Sequence, residues 1–123
     1  KKFDFYDEDG NMYACHEKLV KFLAPGEPPK RGDETPLGVR TFRKIGPALL
    51  IDSMVTIFNS IKKYGPELAL DRVIRSNIMP SLEGLERNEI RCMFLHAKEV
   101  LGPTSIVTET LDRMANSDSL SLF

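Results

Sequence analysis

One stretch constrains the fold of this chain more than any other: Ile45 to Tyr64, IGPALLIDSMVTIFNSIKKY. On a helical wheel Leu50, Ile51, Met54, Val55, Ile57, Phe58 and Ile61 gather over an arc of roughly 200°, wider than the ~100° stripe of an ordinary surface helix. One neighbour cannot cover so broad an arc. The segment is therefore expected inside a bundle, with two or three other helices packed round it. Burying those side chains contributes on the order of 1.5–3 kcal/mol each, which makes this helix the expected centre of the fold.

The length suits a single domain with one modest core: 123 residues, 41% of them apolar, enough to exclude disorder over most of the chain. No apolar run approaches the ~20 residues that span a bilayer, so no membrane contact is expected. The chain opens on Lys1 and Lys2 without a signal peptide or an initiator Met, which predicts a piece of a longer intracellular protein. Cys15 and Cys92 then read as reduced thiols. Net charge is −1, unevenly spread: residues 18–63 hold nine bases against four acids, and residues 1–17 hold two bases against five acids. That basic middle is far less dense than the Lys/Arg face of a committed nucleic-acid binder.

Taken in order, Phe3 to Ala14 places two short aromatic runs around Asp9-Gly10-Asn11, good turn chemistry that predicts a small hairpin. Its acids do not form an EF-hand loop: with Gly10 at the sixth position, Phe5 stands at the first and His16 at the twelfth. Met12 to Leu23 reads as a first helix with Met12, His16, Leu19, Val20 and Leu23 on one face and Glu17, Lys18 and Lys21 on the other. Residues 24–38 read as an exposed loop rich in Pro, Gly and charge, and a loop that long is a pointer to a contact site.

From Gly38 on, helix follows helix, punctuated by Gly46-Pro47, Gly65-Pro66 and Gly102-Pro103. Each Gly can close a helix in the left-handed conformation, and each Pro suits the first turn of the next. Expected are a short lead-in over Val39–Ile45, the central helix, and a third helix over Pro66–Met79 with Leu70, Val73, Ile74 and Asn77 inward. A turn at Ser81–Leu85 precedes a fourth helix over Glu86–Leu101, striped by Ile90, Met93, Phe94, Ala97, Val100 and Leu101. Thr104 or Ser105 caps a last helix to about Ala115, and residues 116–123 are a tail. The fold class is all-α: one domain over 1–115, a bundle of four to five helices. A HEAT-like helix-pair stack is the alternative, although its period of roughly 40 residues leaves room for only about two repeats.

The chemical motifs are weak. Cys15, His16, Cys92 and His96 are the only cysteines and histidines, and Cys92 and His96 stand one helical turn apart, as a zinc pair requires. Cys15 and His16, however, point about 100° apart on a helix and cannot both ligate, so packed core residues are the preferred reading and no cofactor or metal is expected. No nucleophile elbow, phosphate loop or carboxylate pair on an apolar face points to an enzyme. Arg31-Gly32-Asp33 lacks an extracellular context, Pro25 to Lys30 reads as a stiff linker before it reads as a polyproline ligand, and Thr35-Pro36 is too common a dipeptide to weigh.

What remains is a non-catalytic protein-interaction or self-association module, with a protein partner or a second copy as the expected contact. Its candidate contact residues are Lys30, Arg31, Arg40, Arg43 and Lys44 on the loop side, with Leu49 and Leu68 as apolar anchors that fall off the apolar faces of their helices. Nucleic-acid binding through residues 30–44 is the second reading, and a metal or thiol enzyme the third. Apolar surface left over once the core has closed would mark the interface.

Overall fold

The Gly-Pro pairs set two of the helix boundaries as expected. A computed structural model describes residues 11–26 and 35–116. It contains five α-helices: α1 (Asn11–Leu23), α2 (Pro47–Tyr64), α3 (Pro66–Val73), α4 (Arg87–Val100) and α5 (Ile106–Asn116). Among the described residues there is no strand, and the architecture is an all-α bundle. Pro47 and Pro66 occupy the first turns of α2 and α3, where the missing N–H costs nothing. Gly65 alone joins those two helices, at φ 81°, a conformation in which any β-carbon is strained. The third pair behaves differently, because Pro103 lies in a turn and α5 begins only at Ile106.

The longest run of core residues lies in 69–82, which includes buried Ala69, Leu70, Asp71, Val73, Ile74, Ile78, Met79 and Leu82. It begins in α3, widens into a π-turn over Ile74–Ile78 and tightens into a 3-10 turn over Met79–Leu82. Pro80 explains the change. A proline inside an α-helix lacks the donor and clashes with the carbonyl four residues back, here that of Ser76. The wider turn lets the Met79 N–H reach the Ile74 carbonyl instead. Beyond it, Arg43 donates to the carbonyls of Ser81 (2.9 Å) and Glu83 (3.1 Å), which would otherwise have no helical partner.

Around this stretch α2 packs on α3, α4 pairs with α5, and α1 lies against α2, α3 and α4. That arrangement is one bundle with α1 as the bridge, not a stack of two like pairs, and only α3 is broken by a π-turn. A polar cross-link ties α2 to the π-turn: Ser53 of α2, fully buried, accepts from Asn77 at 3.1 Å. The α4 N-terminus carries a reciprocal capping box between Glu86 and Glu89.

Several expectations need correction. The helix read as the centre is peripheral: in α2 only Ser53, Met54 and Ile57 are buried, while Ile51 and Phe58 are 43% and 47% exposed. Among the described residues, the core takes up Leu50, Met54, Ile57 and Ile61 of the apolar arc. The α1 core face is Cys15, Leu19, Phe22 and Leu23, whereas Val20 is exposed, so the face is turned by roughly 60° from the expected one. Phe22 pulls it round, since its ring is buried and stacks against His96 at 6.3 Å between centroids. Residues 11–14, expected as the second arm of a hairpin, form the first turn of α1, and the first arm lies outside the described residues. A lone two-stranded hairpin is marginal, while one more helical turn extends a helix that the core already holds.

The expected loop over 24–38 is not exposed throughout, because Leu37 and Gly38 are buried and the Leu37 N–H donates to the Cys92 carbonyl at 3.1 Å. A β-carbon at Gly38 would collide with the carbonyl oxygens of Ala24 and Phe22. The lead-in is a single 3-10 turn over Val39–Thr41, and Asn116, read as tail, closes α5 by donating to the Asp112 carbonyl at 2.9 Å. Residues 27–34 and 117–123 lie outside the described residues.

The burial pattern orders two substitutions. Ile74→Ala should cost about 2–5 kcal/mol of unfolding free energy through transfer and cavity terms. Phe58→Ala, at a half-exposed position, should cost about 0.5 kcal/mol. Urea denaturation of both variants checks the order, and an equal or larger loss at Phe58 contradicts it.

Candidate functional site

The outer face of α2 is the largest departure from an ordinary water-facing helix surface. Ile51, Val55 and Phe58 recur at intervals of four and three residues, which lines them up along one side of the helix. Ile51 and Phe58 are exposed and Val55 half-buried. Leu50 and Ile61, about 100° round the helix, pack with Met54 and Ile57 on the core. The wide arc thus has two halves, one spent on the core and one in which Ile51 and Phe58 stay 43% and 47% exposed. Asp52 and Lys62, both exposed, stand near the two ends of the outer stripe. Lys63 lies over the Tyr64 ring at 5.4 Å, and Arg72 lies over the same ring at 4.3 Å.

The candidate residues chosen from the sequence fall in several places. Lys30 and Arg31 lie outside the described residues. Arg40, Arg43 and Lys44 do come together, lining a shallow cleft of about 330 Å³ with Ile45 and Gly46 beside the start of α2. Two of the three are anchored through their Nε groups: Arg40 to the Ile45 carbonyl (3.3 Å) and Arg43 to the Ser81 carbonyl (2.9 Å). Arg43 is thereby a structural clamp between the 39–46 segment and the end of the buried stretch. Leu68 is 37% exposed, as expected of an anchor, but Leu49 packs against the core and is no exposed anchor. Its place one turn before Ser53, at the edge of the inner half of the arc, draws it in.

One cysteine and one histidine tie neighbouring helices together. Cys15 lies with its thiol 3.5 Å from the Pro66 carbonyl, joining α1 to α3. His96 meets the Lys21 carbonyl through Nε2, which ties α4 to the last turn of α1. Both cysteines are buried thiols outside any disulfide, and among the described residues no three Cys, His, Asp or Glu side chains gather as a metal cluster would. Nor is any helix among the described residues long and apolar enough to cross a membrane.

Sequence reasoning missed Asp71. It sits beside Leu70 on the inward face of α3, only 9% exposed, and reaches the start of α5. Ser105 donates to its Oδ1 at 2.8 Å, and the Ile106 N–H donates to its Oδ2 at 3.2 Å. The Ser105 hydroxyl in turn accepts from the Val107 N–H at 3.2 Å. Two helix-terminal donors are thus satisfied, one by Ser105 and one by a carboxylate from another helix, whose negative charge also suits the positive end of the α5 dipole. Burial raises the Asp71 pKa above its usual 3.8, aided by nearby Glu67 and opposed by the two hydrogen bonds and by Arg75. Lys18, Glu67, Gly102 and Thr104 share the cleft of about 310 Å³ that Asp71 and Ser105 line. With the Ser105 hydroxyl already donating and accepting, the arrangement is a helix cap and a tie between α3 and α5. No signal in the sequence marked it, since Asp71 lies about 110° round the helical wheel from the centre of the expected inward face of Leu70, Val73, Ile74 and Asn77.

No family model, curated protein or solved structure matches the chain. Its residues alone therefore carry the functional reading.

Removing the Asp71 carboxyl should strand the Ser105 and Ile106 donors, so Asp71→Ala should lose about 2 kcal/mol. The pH dependence has a definite sign. With the folded pKa above 3.8, the native state binds the proton more tightly than the unfolded chain. Stability from this group is greatest below about pH 3.8 and falls as pH rises through the folded pKa. Urea midpoints from pH 3 to 7, read as wild type minus Asp71→Asn, should therefore decline with rising pH, and a rising difference contradicts the assignment.

Proposed function

We propose that this chain is a protein-interaction module whose contact surface is the outer face of α2. The observation that carries the reading is the apolar stripe Ile51–Val55–Phe58, with its two large ends 43% and 47% exposed while the rest of the arc is packed. Single exposed apolar residues are ordinary on a protein surface, whereas large ones aligned one turn apart on one helix are the pattern by which a helix meets a groove or another helix. Phe58 supplies the aromatic anchor that dominates such contacts. The stripe runs along a rigid 18-residue helix, so little ordering entropy is lost when it docks.

Nucleic-acid binding finds less support. Arg40, Arg43 and Lys44 do share a cleft, but Arg43 is engaged with three backbone carbonyls and Arg40 with one. Phosphate contacts would make binding fall by about 0.9 log units per neutralised phosphate for each log unit of salt. The present reading expects no such steep dependence.

A photo-crosslinking residue at position 58 tests the interface, with the same residue at Arg87 of α4 as control. Covalent protein adducts at 58 and not at 87, lost when Ile51 is also changed to Glu, are expected. An absence of adducts at 58, or equal adducts at both positions, overturns the proposal.

A further inference from the structure

Two recesses join along the seam between α1 and α3. The larger is the cleft of about 310 Å³ beside Asp71, and the smaller, of about 110 Å³, is bordered by Ala14, Cys15 and Pro66. Lys18, Glu67 and Leu70 line both, so the two form one groove. No residue of α2 lines it, which makes it a separate surface from the α2 face. Its charges are divided between helices. Glu67 and Asp71 stand one turn apart on α3 and form an acidic wall, whereas Lys18 comes from α1. Among the described residues neither Lys18 nor Glu67 enters an ion pair. The cation that eases ionisation of Asp71 is Arg75, which does not line the groove, and burial still raises the Asp71 pKa. The acidic wall is therefore short of positive charge, and Lys18 is short of negative charge.

We propose that this groove binds a free α-amino acid with an apolar side chain, its ammonium held by Glu67 and Asp71 and its carboxylate by Lys18. The side chain then fills the smaller recess, whose hydrocarbon border of Ala14, Pro66 and Leu70 suits it. Each Asp71 oxygen accepts one hydrogen bond, from Ser105 or from the Ile106 N–H, and keeps a second lone pair for the ammonium. A simple amine leaves Lys18 unmatched. A simple carboxylate meets the repulsion of Glu67 and Asp71, and a polyamine meets that of Lys18. The larger cleft lies at the lower end of the roughly 300–1,000 Å³ of small-molecule sites, which favours a ligand of this size over a nucleotide or a longer peptide.

The test is an NMR titration of the nitrogen-labelled full chain with L-leucine, isopentylamine and isocaproate. The two analogues are leucine without its carboxylate and leucine without its ammonium. Leucine should shift the Lys18, Leu70 and Ser105 amides and leave those of α2 in place. Each analogue should bind about tenfold more weakly, since one charge-assisted contact is lost. Lys18 is half-buried and Glu67 exposed, so Lys18→Gln and Glu67→Gln should stay folded, as circular dichroism melts would verify. Lys18→Gln should weaken leucine about tenfold and leave isopentylamine unchanged, whereas Glu67→Gln should weaken both. No shifts with leucine at millimolar concentration, shifts centred elsewhere, or analogues that bind as well as leucine overturn the proposal. So does unchanged leucine affinity in either variant.

Discussion

The structure depends on burying residues 69–82 while the helix that contains them is interrupted. Pro80 forbids a regular α-helix there, and the chain answers with a π-turn and a 3-10 turn that keep Ile74, Ile78, Met79 and Leu82 all fully enclosed. Their enclosure requires α1, α2 and the α4–α5 pair to close round one irregular segment. The polar contacts serve that closure. Arg43 secures the carbonyls at its end, Asn77 ties it to α2 through Ser53, and Asp71 ties its beginning to α5. A buried carboxylate in that place is tolerated because both of its oxygens accept hydrogen bonds and one faces a helix N-terminus.

Local signals in the sequence set most of the architecture. Proline at the first helical position, glycine at Gly65, the acidic cap at Glu86 and the serine at Ser105 are short-range chemistry, and they mark the starts of four helices to within a residue or two. Which side of a helix faces inward is another matter, since neighbours decide it. For α2 the apolar arc was correct and its coverage was not, because periodicity records which residues are oily and does not record how many helices reach them. For α1 the face was misjudged because the pattern counted Val20 and passed over Phe22, whose ring finds His96 across 74 residues of chain. Asp71 was hidden by its type: an acid reads as surface until the tertiary structure supplies donors for it.

The misplacing of α2 has a clear physical origin. The strongest apolar helix was read as the centre because burial of hydrophobic surface drives folding. The core in fact closes round α3, which is shorter and carries charged residues on its outer side. What α2 retains is apolar surface that folding of the described residues does not use. The functional proposal follows from that surplus.

The central claim is that the Ile51–Val55 side of the α2 arc stays open to solvent in the folded monomer. Paramagnetic relaxation of methyl resonances by a soluble gadolinium chelate, recorded on the full chain at high dilution, measures this directly. The account predicts strong relaxation of the Ile51 and Val55 methyls and almost none for Ile57, Ile74 and Ile78. If Ile51 and Val55 are as protected as Ile57 in the dilute monomer, α2 is wrapped on both sides and the account is contradicted.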